Sequence, residues 1–157
     1  MEGLEEFNRL LGQRIRELIP IQTTWATVKK VDWEKKTMTA TGLEDDLDYF
    51  DVLLGISSEA RKPKVGTKCI IGIIGNSANA FLIEADELEE IIFKVNQTEL
   101  TITPSGFIVK KGGENLKKVL NDLIDEINKI IVINGTTINV AAMNLIKQRL
   151  NTILIEE

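Results

Sequence analysis

Histidine is absent from all 157 residues, and this absence restricts the chemistry of the chain more than any other feature. It excludes imidazole acid–base catalysis, Ser–His and Cys–His nucleophile activation, and every metal site with a histidine ligand. The single cysteine, Cys69, excludes an internal disulfide. Because Cys69 lies in the apolar run of residues 67–74, we expect a buried side chain rather than a reactive thiol. We therefore expect no enzyme activity, no catalytic residue, no metal and no cofactor.

Long apolar runs and an excess of basic charge are also missing. No run approaches the roughly 20 apolar residues that span a bilayer, and the acidic N-terminus lacks the apolar core of a signal peptide. We therefore expect synthesis in the cytosol. The net charge of −5 argues against a nucleic-acid partner, because phosphate contacts need a local excess of Lys and Arg.

Five short segments in the first half of the chain have the composition of β-strands. Turns such as residues 33–36 and 75–77 separate them, and Gly72 interrupts the most apolar one, as in a strand bent around a barrel. Their number and spacing predict a small OB-like Greek-key barrel, with a loop at residues 55–66. The segments are residues 23–31, 37–41, 47–54, 67–74 and 80–85.

Three shorter strands are predicted after an acidic linker, at residues 91–95, 99–103 and 107–110. In the middle strand, two apolar residues alternate with polar ones, which is the period of a strand with one buried face. A hairpin this small is only marginally stable alone, so its apolar positions need a further surface. The strand residues that we expect in an oligomer interface are Ile92, Leu100, Ile102 and Ile108.

Helical periodicity occurs at both ends of the chain. Residues 3–18 predict an amphipathic helix ended by Pro20, which either covers the domain's own core or docks on a neighbouring chain. From residue 115 a wide apolar stripe predicts a helix, and a second helix begins at the N-cap Asn139. The two could pair as a hairpin. The helix residues that we expect in the oligomer interface are Leu116, Leu120, Leu123, Ile127 and Ile130.

Two clusters allow a chemical and a structural interpretation. The carboxylates of residues 44–48 could bind Ca²⁺, but their spacing does not match an EF-hand loop, and hairpin tips are often acidic. Trp25 and Trp33 lie near four lysines, the best basic and aromatic patch in the chain. We interpret this patch as a solvent-facing hairpin with core tryptophans, because no matching basic face occurs elsewhere.

The order of these parts resembles the baseplate assembly and central spike proteins of contractile-tailed phages and related injection machines. The segments that carry the resemblance are KVGTKCIIGIIGNSANAFLIEADELEEIIF from Lys64, TITPSGFIVKKGG from Thr101, and the helical ENLKKVLNDLIDEI and INVAAMNLIKQRLNTIL. The resemblance implies an N-terminal barrel followed by a trimeric β-structured shaft. The family's His-x-His iron apex is missing here, and so is any lysozyme-like segment, so the chain resembles a reduced spike or hub element.

The sequence thus predicts a mainly β fold with helical ends: an OB-like small barrel, a short β-structured shaft segment and a C-terminal helical hairpin. The expected division is a helix at residues 1–20, the barrel at 21–86, the shaft at 87–111 and the hairpin at 112–157. The resemblance implies a homotrimer in the tail baseplate of a virion, made in the bacterial cytoplasm. Its expected partners are other baseplate, tail-tube or tip proteins, with membrane contact only during injection. An OB-fold protein that binds single-stranded nucleic acid is the alternative.

Overall fold

The computed structural model describes residues 2–18, 22–75, 77–131, 135 and 137–156. The fold is mainly β, with a closed five-stranded barrel, a second sheet and helices near the two ends, as predicted. The chain forms two compact units, the first of Met1–Leu53 and Val65–Asp86 and the second of Leu54–Lys64 and Glu87–Glu157. The predicted helix stop at Pro20 lies outside the described residues.

The first unit contains the amphipathic helix α1 and the barrel. Each barrel strand pairs antiparallel with its neighbours, except for a parallel contact that joins Leu53 of the third barrel strand to Phe81 of the fifth. The elements are α1 (Glu2–Leu18), β1 (Thr23–Asp32), β2 (Thr37–Gly42), β3 (Asp48–Leu53), β6 (Lys68–Ile73) and β7 (Ala80–Ala85). The closed order β1-β2-β3-β7-β6 is consistent with an OB-like fold.

Alternation of inward and outward residues, interrupted by register shifts in several strand pairs, builds the barrel core. In β2, which reads TMTATG, the threonines point outwards while Met38 and Ala40 are buried. Small inward residues opposite large ones let five strands close around a filled interior. The first unit therefore has a core of its own. Its buried apolar residues are Ala26, Val28, Met38, Ala40, Val52, Cys69, Ile71, Ala80 and Leu82.

Residues 55–66, predicted as a loop of the barrel segment, instead contain two strands of the second sheet. They are β4 (Gly55–Ile56) and β5 (Glu59–Pro63), which form a hairpin. β5 then pairs antiparallel with a strand from Leu88 onwards. The loop prediction was wrong because polar residues of an outer strand resemble loop residues, and only long-range pairing distinguishes them.

The second unit is built on a six-stranded antiparallel sheet. The predicted strands at residues 91–95, 99–103 and 107–110 are confirmed with longer bounds, and they occupy its centre. Its further strands are β8 (Leu88–Val95), β9 (Thr98–Thr103), β10 (Gly106–Lys111) and β11 (Glu114–Asn115). The sheet order is β11-β10-β9-β8-β5-β4.

An antiparallel helical hairpin completes the second unit, with α2 (Leu116–Asn128) and α3 (Val140–Ile153). Asn139 caps α3 as predicted, since its side chain accepts a hydrogen bond from the Ala142 amide at 3.0 Å. Lys147 forms an ion pair with Asp125 across the hairpin, with Nζ–O distances of 2.7 and 2.6 Å. α2 ends at Asn128, so the predicted helical position Ile130 lies beyond the helix.

Both helices contact β10, and the chain after α3 continues along the edge of that strand. The Ile155 amide donates a hydrogen bond to the Phe107 carbonyl at 2.9 Å. At Gly106, with φ of 144°, an added Cβ would lie 2.4 Å from the Ile153 carbonyl oxygen, so a larger residue would not fit this close approach. The C-terminal segment is therefore part of the second unit's structure.

Candidate assembly surfaces

The register of β8, β9 and β10 assigns their side chains to two faces, because residues directly opposite each other in antiparallel strands share a face. One row joins Ile92, Thr101 and Ile108. Thr101 and Ile108 are buried, at 5% and 6% exposure, and α2 and α3 contact β10, so the helical hairpin covers this face. We call it the covered face.

The opposite face is apolar and partly exposed: three of its seven residues are exposed and four are half-buried. Phe93 and Phe107 expose about two fifths of their surface and Val95 exposes 69%. Two rows of directly opposed residues cross the three strands on this side, and a third begins at Val95. Such a face is typical of a surface that is buried against another protein. We define the open face as Ile91, Phe93, Val95, Leu100, Ile102, Phe107 and Val109.

The four strand residues predicted for one interface are divided between these faces. Leu100 and Ile102 lie on the open face, whereas Ile92 and Ile108 lie on the covered face. The expected common burial of all four is therefore corrected, because alternate residues of a strand point to opposite sides. Ile108 already belongs to the core of its own chain.

The predicted helix residues also divide into two groups. Leu120 and Ile127 are half-buried, while Leu116, Leu123 and Ile130 are exposed. Helices α2 and α3 pack on the covered face, so a chain ending at Lys111 would uncover Ile108 in addition to losing these residues. The hairpin is thus part of the unit's folding and not only a candidate interface.

Five residues of the open face were missed by sequence reasoning. They belong to the rows that the hairpin registers create, such as Ile91–Ile102–Phe107. Alternation in β9 alone was recognised, but the doublet of Ile91 and Ile92 leaves the phase of β8 undetermined until the register is known. The missed residues are Ile91, Phe93, Val95, Phe107 and Val109.

Two carboxylates at the acidic turn of the barrel, Asp45 and Asp48, accept hydrogen bonds from other residues of the barrel. Asp45 accepts hydrogen bonds from the Leu47 amide at 3.0 Å and the Tyr49 hydroxyl at 2.7 Å, and both lower the pKa of its carboxyl group. Hydrogen bonds from Lys29 at 2.6 Å and Thr41 at 2.7 Å likewise lower the pKa of Asp48. Among the described residues, no group of three or more Cys, Asp or Glu side chains is arranged to hold a metal ion.

The two tryptophans lie at the barrel surface, each with a lysine ammonium over its ring. Lys36 Nζ lies 3.1 Å from the centre of the Trp33 ring, and Lys68 Nζ lies 4.1 Å from that of Trp25. Trp25 is 42% exposed on the outside of β1, so its prediction as a core residue was wrong. A nucleic-acid base could stack on these occupied faces only after the lysine moved away.

Cys69 lies in the barrel core at 1% exposure. Burial, with a smaller contribution from the Asp86 carboxylate, raises the pKa of its thiol from 9.0 to about 11. We expect the native thiol to react with iodoacetamide at pH 8 at least about a hundredfold more slowly than the unfolded chain, because the thiolate is the nucleophile. Mass spectrometry of labelling with and without denaturant tests this, and comparable rates would contradict it.

The raised pKa of the Cys69 thiol makes the stability of the barrel depend on pH. The unfolded chain loses the thiol proton first, so the free energy of unfolding should fall as the pH rises from 9 towards 11. A Cys69→Ala chain should lack this part of the pH dependence. Equilibrium unfolding at pH 8.5 and 10.5 compares the two chains.

Comparisons with known proteins add no further assignment. No known family model matches the sequence, and no curated protein matches it. Within the described part of the chain, every helix is too short or too polar to cross a membrane.

Proposed function

We propose that the chain is a structural component of a contractile-tail baseplate, a hub or spike element that acts mechanically as a homotrimer. The order of its parts supports this proposal: the barrel, the main strands of the antiparallel sheet and the helical hairpin follow one another along the chain. Only the β4–β5 hairpin of the sheet comes from within the barrel segment. This order is the one that the resemblance to baseplate and spike proteins implies. In this function no residue is catalytic and no cofactor is needed.

The observation that carries the proposal is the imbalance between core and surface in the second unit. Among its described residues, the buried large apolar side chains are Leu54, Ile108, Ile124 and Leu154. Thirteen large apolar side chains of the same unit are exposed, including Phe93, Val95 and Phe107 of the open face. A unit with so small a core gains stability mainly by covering its exposed face with another chain.

The open face is large enough to contribute substantially to assembly. An aromatic side chain presents roughly 200 Å², so the exposed parts of Phe93 and Phe107 together amount to about 160 Å². At about 25 cal/mol per Å², their burial contributes about 4 kcal/mol per copy. The five other side chains of the face add to this contribution.

Charged residues border the open face on both sides. Glu59 and Arg61 of β5, which form an ion pair with each other at 2.6 Å, lie at one edge, opposite Phe93 and Ile91. Lys111 and Glu114 lie at the other edge. Because each edge carries both signs of charge, neighbouring copies can pair charges at the rim while the apolar centre is buried.

In the proposed assembly, three copies turn their open faces towards a common axis. The apolar rows of the three sheets then form one core, and the covered faces remain packed against their own helices. The helical hairpins face outwards, and the surfaces that are not buried can contact other baseplate, tail-tube or tip proteins. The assembly would reside in the virion tail and touch a membrane only during injection.

Sedimentation equilibrium of the purified chain tests the trimer. We expect three times the chain mass of 17.6 kDa across micromolar concentrations. An antibody against the purified chain should also label one end of the tails in particles released by the producing cell. A monomer in solution would refute the trimer, and unlabelled tails would refute the baseplate assignment.

The alternative function, binding of single-stranded nucleic acid through the barrel, predicts a different experimental result. It requires a gel shift of single-stranded DNA at moderate salt that disappears as the salt concentration rises. We expect no such shift, because the chain is acidic and lysines cover both tryptophan rings.

A further inference from the structure

The first unit exposes an apolar stripe along α1. Leu4, Phe7 and Leu11 follow one another at helical spacing and expose 70%, 60% and 46% of their surface. In the sequence, four residues lie between the end of α1 and the start of β1. A stripe of this kind on a 17-residue helix is typical of a helix that docks in an apolar groove.

The outside of the barrel carries a second exposed apolar surface in the same unit. Leu53 of β3 is paired with Phe81 of β7, and Phe81 is opposite Gly72 of β6. The Phe81 ring lies against Gly72, where an added Cβ would be 2.6 Å from it, and Ile83 also leans over this glycine. Leu53, Phe81 and Ile83 are between 36% and 41% exposed. These three residues form what we call the barrel patch.

The barrel patch continues into a cleft that carries two carboxylates and one lysine. Its lining residues include Trp25, Lys68, Ile70, Glu84 and Asp86, and its volume is about 380 Å³. Glu84 lies directly opposite Ile70. Neither carboxylate forms an ion pair with another described residue. The barrel therefore presents apolar area beside unpaired negative charge.

Helix α1 has the complementary features. Arg14 lies one helical turn beyond Leu10 and Leu11 and forms no ion pair with another described residue, whereas Arg9 on the other side is bound to Glu6. From Leu4 to Arg14 the helix rises about 15 Å. The four strands β3, β7, β6 and β1 span about 14 Å. This part of the helix therefore matches the barrel surface in length, and the arginine at its end matches the two carboxylates of the cleft.

We propose that α1 of one copy docks on the barrel patch of a second copy, with its basic end towards Glu84 and Asp86. Within one chain the stripe and the patch both remain exposed, so a second copy is the occupant that covers them. This inference rests on the proposed homotrimer. Three head-to-tail contacts of this kind close into a ring and add a second interface to the one formed by the open faces.

Disulfide capture between two chains tests the docking. Cys69 does not interfere, because it is buried. Chains with Phe7→Cys and Leu53→Cys, one carrying a size tag, are co-expressed and oxidised. We expect the mixed disulfide dimer at least about fivefold above its level in a pair with Phe7→Cys and Glu34→Cys. Glu34 is an exposed residue in the turn between β1 and β2 and is the matched control.

Charge variants and the double variant complete the test. Arg14→Glu should lower capture severalfold, whereas Arg9→Glu should not change it. The double variant carries both Phe7→Cys and Leu53→Cys in one chain. If its only disulfide is the one within a single chain, α1 docks on its own barrel and the proposal is overturned. Sedimentation of the same samples separates the two hypotheses, because a trimer without capture overturns only the docking, whereas a monomer overturns the trimer as well.

Discussion

A chain carrying Phe93→Lys should sediment as a monomer of about 17.6 kDa, in contrast to the trimer expected for the unaltered chain. Phe93 lies at the centre of β8 on the open face, opposite Leu100. Losing one buried aromatic costs about 1.5–3 kcal/mol per copy. Three copies lose at least about 4.5 kcal/mol, a factor of about a thousand in the association constant. Three ammonium groups in an apolar core add a further penalty.

The same substitution should leave the single chain folded. Phe93 is 39% exposed, so a lysine there can keep its ammonium group in solvent. It would lie opposite Glu59 of β5, whose carboxylate already pairs with Arg61. Ser105→Lys, in the exposed turn between β9 and β10, makes the same change in charge away from the open face and should remain trimeric. A trimeric Phe93→Lys chain with native circular dichroism would show that the open face is not the interface.

Ile108→Ala should destabilise the second unit by about 2–5 kcal/mol and leave the barrel almost unaffected, because removing a buried isoleucine leaves a cavity in a core that has few other members. Two signals separate the units. Trp25, Trp33 and Tyr49 all lie in the first unit, so tryptophan fluorescence reports the barrel. α2 and α3, with 13 and 14 residues, lie in the second unit, and α1, with 17 residues, lies in the first. Circular dichroism at 222 nm therefore reports the helical hairpin with a smaller contribution from α1.

In a urea titration of the Phe93→Lys monomer, Ile108→Ala should therefore shift the midpoint by circular dichroism and not that by fluorescence. Met38→Ala, in the barrel core, is the matched control and should shift mainly the fluorescence midpoint. If both signals move together in each variant, the two units unfold as one and the assignment of separate cores is refuted.

The five barrel strands could be predicted from the sequence because each has one inward face and a turn at either end. Inward residues such as Ala26, Val28 and Met38 alternate with outward ones, and the turn at residues 33–36 is confirmed. The helices were predictable for a similar reason, since helical spacing and the Asn139 cap are local signals. The predicted and observed bounds of these elements differ by a few residues, as at the end of α2.

The candidate interface was predicted less well, since it depends on which strands are neighbours. β4 and β5 carry polar residues and were predicted as loop, although β5 forms the edge of the open face beside β8. Without that register, the sequence does not show which of Ile91 and Ile92 points to the open face. A shift of the strand pairing by one residue would move every side chain of the strand to the other face. Ile92 and Ile108 were therefore grouped with Leu100 and Ile102, from which the sheet separates them.

The sequence alone determined that this chain has no histidine chemistry, that a barrel precedes short strands, and that helices flank both, because composition and local periodicity are properties of neighbouring residues. Only the tertiary structure decided which apolar residues remain exposed. Pairing of distant strands assigns Phe93 and Phe107 to one face, and the helical hairpin covers the other. Burial depends on what packs above each residue, and no local pattern contains that information.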